Sequence, residues 1–217
     1  KAACEISTRA LADVLATIAI GQTEKQVRDA LDSRMRALGA DDIAFSTIVA
    51  SGPNSAIPHH EPSDRKLCQG DFLKIDFGAK VAGYHADCTR TFVLGKAAYW
   101  QLDLHKAVMS AQSAGRSALR ADALFTSVET AVAESLAASG YLEFFTHGLG
   151  HGVGLEIHEE PYFSRAQESK IGANTVITVE PGAYLPERGG VRIEDTVVVT
   201  EIGYENLTNF SYELIEI

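Results

Sequence analysis

Apolar residues recur at helical spacing in two segments near the start of the chain. Residues 3–19 carry apolar side chains three or four positions apart, and Gly21 ends this stripe. Thr23 and Gln26 have the spacing of a capping box, which predicts that a second helix begins directly after Thr23. A second apolar stripe follows and stops before Gly39. The pattern therefore predicts two helices joined by a short turn.

Shorter runs rich in β-branched and aromatic residues come next, and Gly and Pro residues bound them. These runs predict strands at about 43–50, 72–79 and 84–94, with a turn at 81–83 between the last two. A loop rich in Gly, Pro and His is expected at 51–62.

The second half of the chain follows the same order of elements. Helical spacing extends from about 98 to 119 and again over 126–138. Two β-branched runs at 175–180 and 191–200 predict strands on either side of a loop at 181–190.

A weak internal repeat relates the two halves. Each half contains two helices and then a pair of strands, with one carboxylate in each strand. Chance aligns helical stripes easily, but it less easily aligns both carboxylates of each pair. We therefore predict an α+β fold of two pseudo-symmetric halves, each helix-helix-strand-strand. The matching residues are Val27, Ala30, Leu31, Met35 and Gly39 with Val128, Ala131, Val132, Leu136 and Gly140, Asp76-Phe77-Gly78-Ala79 with Glu180-Pro181-Gly182-Ala183, and Asp87-Cys88-Thr89 with Glu194-Asp195-Thr196.

Composition and charge narrow the class of protein. A chain of 217 residues with 46% hydrophobic and 22% charged residues buries a substantial core without disulfides or a structural metal, so any bound metal is expected to be functional. The net charge of −10 argues against a nucleic-acid partner, which needs a surplus of Lys and Arg. No apolar run reaches the length of a membrane span, so no membrane partner is expected.

The cysteine content indicates a cellular compartment, and the first residue indicates whether the chain is part of a longer protein. Cys4, Cys68 and Cys88 fit no zinc motif, and an odd count suits a disulfide framework poorly. Reduced thiols point to the cytoplasm. The chain begins at Lys1 without Met, and we expect residues 1–217 to be a single domain cut from a longer protein.

Four carboxylates interrupt otherwise apolar strands: Asp76, Asp87, Glu180 and Glu194. A buried carboxylate must be paired, protonated or bound to metal. For any one of them, a strand-end acid or a partner of Arg is the simpler interpretation. Four in a duplicated pattern instead favour a dinuclear metal site, because two cations close together need several anionic oxygens.

Histidines in a glycine-rich segment supply the nitrogen ligand. His147 to His158 contains three histidines and four glycines in twelve residues, and a second pair lies at His59-His60. The glycines allow the backbone to approach a ligand closely. His85 and His105 have no such context, and we interpret them as ordinary structural residues.

Five segments together form a specific pattern of acidic residues, histidines and glycines. They are Ser51-Gly52-Pro53-Asn54-Ser55-Ala56-Ile57-Pro58-His59, Asp76-Phe77-Gly78 with Asp87-Cys88-Thr89-Arg90-Thr91, His147 through His158 followed by Glu159-Glu160-Pro161, Val179-Glu180-Pro181-Gly182, and Arg192-Ile193-Glu194-Asp195. Over essentially the whole chain the sequence resembles the pita-bread metallopeptidases, and it is most similar to their Xaa-Pro branch of prolidases and Xaa-Pro aminopeptidases. The resemblance implies the pita-bread fold.

The resemblance also implies a ligand set for two divalent metal ions. Asp76 would bind one metal, Asp87 and Glu194 would bridge both, and His151 with Glu180 would complete the second. The expected metal is Mn²⁺, with Co²⁺ and Zn²⁺ as alternatives. A water or hydroxide between the cations would be the nucleophile.

Further residues receive roles from the same resemblance. Glu180 would act as general base and then acid. His59, His147 and His158 would line the substrate site, and His158 would hydrogen-bond to the tetrahedral intermediate. Arg192 would orient Glu194 or a neighbouring acid. The role of His60 stays open, because the sequence does not show whether it faces the site.

The implied function is hydrolysis of Xaa-Pro bonds in short peptides, either in dipeptides or at peptide N-termini. The resemblance implies that longer Xaa-Pro enzymes carry an N-terminal domain, and we expect this domain to lie outside residues 1–217. The sequence therefore does not separate dipeptidase from aminopeptidase. The alternatives are methionine aminopeptidase and a non-catalytic binding module on the same fold. Because all five ligand positions are filled, creatinase-like chemistry without metal is disfavoured. The resemblance is compatible with a homodimer.

Overall fold

The predicted helices form, with one change of length. The structure, a computed structural model, describes residues 1–163 and 168–217. The capping box is present, because Gln26 N donates to Thr23 Oγ1 and Thr23 N donates to Gln26 Oε1. The first helix is shorter than predicted, since Thr17 N and Oγ1 both donate to Val14 O at 2.8 Å and close its last turn. The helices in the described residues are α1 (Ala2–Leu15), α2 (Glu24–Ala37), α3 (Tyr99–Ala118) and α4 (Phe125–Ala138).

Most strands are short and antiparallel. They are β1 (Asp42–Ile43), β2 (Ile48–Ser51), β3 (Phe72–Phe77), β4 (Ala79–Val81), β5 (Tyr84–His85), β6 (Cys88–Val93), β7 (His151–Gly152), β8 (Glu159–Tyr162), β9 (Val176–Val179), β10 (Gly182–Leu185), β11 (Gly189–Arg192), β12 (Asp195–Val199) and β13 (Tyr204–Asn206).

Each half of the chain builds one main sheet. The first half forms a sheet in the order β2-β3-β6, and the second half forms one in the order β13-β12-β9-β7-β8. Two smaller sheets, β1-β4-β5 and β10-β11, accompany them. An antiparallel bridge between Thr89 and Glu194 joins the two halves. The predicted arrangement of two helix-helix-strand-strand halves is thus confirmed.

The core divides in the same way. One cluster of buried side chains joins α1 and α2 to the first sheet, with Leu11, Leu31 and Ile75 among its members. A second joins α3 and α4 to the second sheet, with Val128 and Val132 among its members. A third cluster packs α3 against the β10-β11 hairpin. Each helix pair therefore supports the sheet that carries two of the carboxylates.

Four predicted strands are broken in two, and two of these breaks lie at a carboxylate. The expected strand at 43–50 divides into β1 and β2. The expected strand at 84–94 divides into β5 and β6 before Cys88, and the one at 191–200 divides into β11 and β12 around Glu194. The strand at 72–79 breaks at Gly78, where a Cβ would lie 1.8 Å from Ala86 O. A side chain at Gly78 would therefore push away the segment that leads into Asp87.

One loop prediction was wrong. Residues 181–190 form most of the hairpin β10-β11 rather than a loop, with Tyr184 paired to Gly190 across it. The strands β7, β8 and β13 were not predicted from the sequence, because each is too short to show a period. Among the described helices, none combines the length and hydropathy needed to cross a bilayer.

Candidate metal centre

The four carboxylates converge where the two sheets meet. In the first sheet Asp76 pairs with Thr89, and Thr89 also bridges to Glu194 of the second half. Val179 pairs with Asp195, which places Glu180 and Glu194 at one end of the second sheet. All four carboxylates and His151 line a single cleft of about 340 Å³.

Three of these side chains form the tightest group. Ligand atoms of Asp87, His151 and Glu194 all lie within 4.8 Å of one another, and all three residues are buried. His151 Nε2 is 3.6 Å from Asp87 Oδ2 and 3.4 Å from Glu180 Oε1. A carboxylate-rich group with one imidazole suits Mn²⁺, Co²⁺ or Zn²⁺.

Two glycines allow His151 to reach this position. β7 lies between β8 and β9, and a Cβ on Gly150 would lie 2.2 Å from Thr178 O. A Cβ on Gly152 would lie 2.5 Å from Glu160 O. The glycines on either side of His151 therefore let β7 fit closely between its neighbours.

The imidazole of His151 is prepared to be a ligand. Its Nδ1 lies 2.9 Å from Gly152 O, so that nitrogen donates its hydrogen and Nε2 keeps its lone pair. Burial lowers the pKa of His151 to about 4, which keeps the ring neutral near pH 7. A neutral imidazole is the form that binds metals.

The carboxylates destabilise one another without a cation. Burial and then the charge of Glu194 raise the pKa of Asp87 well above its usual range. Burial and the charge of Glu180 do the same to Glu194. Burial raises the pKa of Glu180 to about 8, although Arg192 partly opposes it. A divalent cation is the kind of group that would offset this concentration of negative charge.

One carboxylate oxygen at the site has no hydrogen-bond partner among the described residues. Asp76 Oδ1 is buried and makes no hydrogen bond within residues 1–163 and 168–217. A buried carboxylate oxygen without a hydrogen bond lowers the stability of the folded state. A metal ion bound to this oxygen would supply the missing partner. The residues present therefore fit a bound cation.

Arg192 contacts one of the acids directly and another through a hydroxyl. Its Nη2 donates to Asp76 Oδ2 at 2.5 Å. Its Nε donates at 3.1 Å to Thr89 Oγ1, which itself donates to Glu194 Oε2 at 2.6 Å. The structure thus places Arg192 against a neighbouring acid, with Glu194 one hydroxyl away.

The three expected substrate-site histidines lie around the rim of the same cleft. His59 and His158 are exposed, and His147 is half-buried. The ring of His158 stands edge-on to that of His151, with centroids 4.3 Å apart. Burial and the charge of Arg192 lower the pKa of His147 to about 4.

Tyr184 is a site residue that the sequence analysis missed. Its hydroxyl accepts from Arg192 Nη1 at 2.8 Å and lies 2.7 Å from His147 Nε2. His147 Nδ1 lies 2.7 Å from Gly148 O, so Nε2 is the acceptor and the tyrosine donates to it. A hydrogen-bond chain therefore runs from Asp76 through Arg192 and Tyr184 to His147. The pairing of β10 with β11 creates it, and this hairpin had been predicted as a loop.

The other three histidines are not among the described residues that line the cleft. His60 Nε2 lies 2.8 Å from Glu24 Oε2, which answers the question left open by the sequence. His85 Nδ1 lies 3.1 Å from Gly154 O. His105 is buried in α3, and burial lowers its pKa to about 4.

Comparison with known proteins identifies the family. The model of metallopeptidase family M24 matches residues 1–201. The chain belongs to metallopeptidase family M24. Residues 1–201 of this M24 chain contain all four carboxylates and His151.

Relatives and solved structures agree with this assignment. The Xaa-Pro dipeptidase of Pyrococcus furiosus is 40% identical over 213 residues, which cover 98% of the M24 chain and 61% of that relative. The X-Pro aminopeptidase from Thermotoga maritima has a TM-score of 0.97 at 40% identity, covering 99% of this chain and 61% of that one. The Xaa-Pro dipeptidase from Bacillus anthracis has a TM-score of 0.97 at 37% identity, with coverages of 99% and 61%. The pita-bread fold is thus confirmed, and the M24 chain spans 61% of the length of these proteins.

Proposed function

We propose that residues 1–217 form a single catalytic domain that hydrolyses Xaa-Pro peptide bonds with the help of divalent metal ions. The observation that carries this proposal is the meeting of four buried or nearly buried carboxylates and a neutral imidazole in one cleft. The M24 family match and the Xaa-Pro names of several relatives support the reaction class.

The ligand set of the proposal contains five residues. Asp76 would bind one cation, Asp87 and Glu194 would bridge two, and His151 with Glu180 would complete the second. The unpaired Asp76 Oδ1 and the repulsion among the other acids support this assignment. Two divalent cations held there would supply Lewis acidity and a water of lowered pKa.

Glu180 would carry the proton during hydrolysis. Its side chain is 15% exposed, so a carboxylate oxygen can meet both water and substrate. The carboxylate would accept a proton from the attacking water and then donate it to the leaving nitrogen. Thr178 Oγ1 donates to Glu180 Oε1 at 3.2 Å and would orient the carboxylate for these transfers.

The histidines on the rim would bind the substrate. His158 would donate a hydrogen bond to the oxygen that becomes negative when the carbonyl is attacked. His59 and His147 would contact the peptide on other sides of the cleft. Arg192 would fix the Asp76 carboxylate as a ligand.

The finer features of the proposal are the metal, the assembly and the compartment. We propose Mn²⁺ as the metal, with Co²⁺ and Zn²⁺ as alternatives, because carboxylate ligands dominate the site. A homodimer and a cytoplasmic location complete the proposal. The three cysteines are free thiols, which supports a reducing compartment.

A peptide panel tests the function. Amino-acid release from Ala-Pro, Ala-Pro-Ala and Met-Ala-Ser is measured with three preparations of the purified chain. These are the chain as purified, the chain after its metal has been removed, and the metal-free chain reloaded with Mn²⁺. We expect metal-dependent cleavage of a proline-containing peptide. Cleavage of Ala-Pro alone assigns a dipeptidase, and cleavage of Ala-Pro-Ala assigns an aminopeptidase. Cleavage of Met-Ala-Ser alone, or of no peptide by the metal-loaded chain, would overturn the proposal.

A further inference from the structure

Two buried charged residues hold the loop that carries His59. This loop, residues 51–63, runs from the last residue of β2 to Ser63. Glu24, at the start of α2, and Lys74, in the middle of β3, are both 0% exposed. Charged side chains are rarely buried so completely, and each of these directs its polar atoms to the loop.

Glu24 binds the two ends of the loop. Its Oε1 accepts from Ser51 N at 2.7 Å, Ser51 Oγ at 2.8 Å and Asn54 Nδ2 at 3.0 Å. Its Oε2 accepts from Ser63 N at 2.9 Å and Ser63 Oγ at 2.7 Å, and His60 Nε2 lies 2.8 Å away. One carboxylate therefore ties together residues 12 positions apart in the chain.

Lys74 binds the middle of the loop. Its Nζ donates to Ile57 O at 2.7 Å, Ser55 O at 3.1 Å and Pro58 O at 3.3 Å. Three acceptors match the three N–H bonds of an ammonium group. Pro58 O also accepts from Arg192 Nη1 at 3.0 Å, so the loop backbone is fixed directly to the metal centre.

His59 depends on these contacts for its position. Its side chain is exposed, lines the cleft and makes no hydrogen bond to the described residues. The place of its imidazole is therefore set by its backbone, and both neighbours of His59 in the chain are tied down. Pro58 is bound by Lys74 and Arg192, and His60 by Glu24.

We propose that Glu24 and Lys74 are positioning residues that act on the peptide substrate through His59. This inference rests on the proposed function, since it needs a substrate that His59 contacts. Helix stability alone does not explain the contacts of the Glu24 side chain, because the hydrogen bonds of its carboxylate within the described residues all go to loop 51–63 and none to α2.

The test is a double-mutant cycle between Glu24→Gln and His59→Ala. Glutamine puts an NH₂ group where an oxygen accepted a backbone N–H of Ser51 or Ser63, so the loop must shift. A misplacement of this kind lowers kcat/KM by roughly 10- to 100-fold. The substrate is whichever of Ala-Pro and Ala-Pro-Ala the wild type cleaves. We expect metal content to stay at the wild-type value and the double variant to be no worse than the more impaired single variant.

The inference would be overturned if the loss of kcat/KM in the double variant equalled the product of the two single losses. A fall in the metal content of Glu24→Gln would also overturn it. Asp32→Asn is the matched control, because Asp32 lies on the same helix and its carboxylate accepts from Thr47 Oγ1 rather than from the loop. It should leave kcat/KM within about twofold of wild type, because the hydrogen bond of the Asp32 side chain does not involve loop 51–63. If Glu24→Gln does not fold, Ser63→Ala takes its place in the cycle with the same expected outcome, because it removes a single donor to Glu24.

Hydrogen exchange separates this inference from the function it rests on. If the wild type cleaves none of the peptides, the proposed function fails, and exchange of the 51–63 amides still measures how firmly the loop is held. We expect faster exchange over 51–63 in Glu24→Gln and in Lys74→Met, with unchanged exchange in α3 and α4. Wild-type exchange over 51–63 in both variants would overturn the inference.

Discussion

Arg192 Nη2 donates to Asp76 Oδ2 at 2.5 Å and so joins β11 of the second half to β3 of the first. The same guanidinium binds Thr89 Oγ1, Pro58 O and Tyr184 OH. One carboxylate oxygen of Asp76 is thus fixed by Arg192, while the other makes no hydrogen bond to the described residues. The contacts of Arg192 therefore hold the Asp76 carboxylate in position.

Arg192→Lys should weaken metal binding although the charge is kept. A lysine cannot reproduce the planar set of donors that reaches four partners. Loss of such a supporting partner typically lowers metal affinity by roughly 10- to 100-fold. Titration of Mn²⁺ into metal-free protein measures the change. Arg188→Lys is the control, because Arg188 stacks on Trp100 of α3 instead. Wild-type affinity in Arg192→Lys would refute the role of this contact.

Glu180→Ala should abolish turnover and also reduce metal binding. The substitution removes both a proposed ligand and the proposed proton carrier. Steady-state rates and metal analysis after dialysis give the two readouts. Glu205→Ala, which alters an exposed glutamate paired with Lys1, should change neither. Near-normal activity in Glu180→Ala would refute both proposed roles at once.

His158→Ala should lower kcat by about 10²- to 10³-fold, the scale for losing one donor to an oxyanion. Its ring contacts that of His151 but lies on the exposed rim. Metal content should therefore persist. Loss of metal from this variant would show that His158 belongs among the ligands.

The stability of the fold should depend on Glu24 in acid. Burial alone would raise the pKa of Glu24, but hydrogen bonds from Ser63, His60 and Asn54 outweigh it and lower the pKa from 4.5 to about 2. The folded state therefore holds this carboxylate ionised more strongly than the unfolded chain does. Its contribution of about 3 kcal/mol is complete above pH 4.5 and is lost as the pH falls from 4.5 towards 2.

Urea unfolding at several pH values from 7 to 3 gives the free energy of unfolding of wild type and of Glu24→Gln. The difference between these two free energies measures the contribution of the Glu24 carboxylate. We expect the two stabilities to approach each other as the pH falls. A difference that stays constant over this range would contradict the depressed pKa of Glu24.

Local patterns predicted much of the fold. The capping box at Thr23 and the stripes of α2 and α4 depend on residues three or four positions apart, so the sequence displays them directly. The four carboxylates were noticed because acids rarely interrupt apolar strands. The internal repeat indicated that they belong together, because each half carries one carboxylate in each of two corresponding strands.

Contacts between distant segments were harder to predict. Tyr184 reaches Arg192 only because β10 folds back on β11, and four-residue strands show too little alternation to reveal that hairpin. Glu24 lies in the first turn of a helix, where acids are usually exposed. Its burial depends on a loop that returns about 30 to 40 residues later, and no local pattern encodes that return.

Anomalous diffraction at the manganese absorption edge, from crystals of the wild-type chain grown in Mn²⁺, shows directly whether two metal ions bind in the cleft. We expect two anomalous peaks in the cleft, about 3.5–4 Å apart, both within bonding distance of the Asp87 and Glu194 carboxylates. A single peak, or peaks that lie away from these two carboxylates, would contradict the proposed two-metal site.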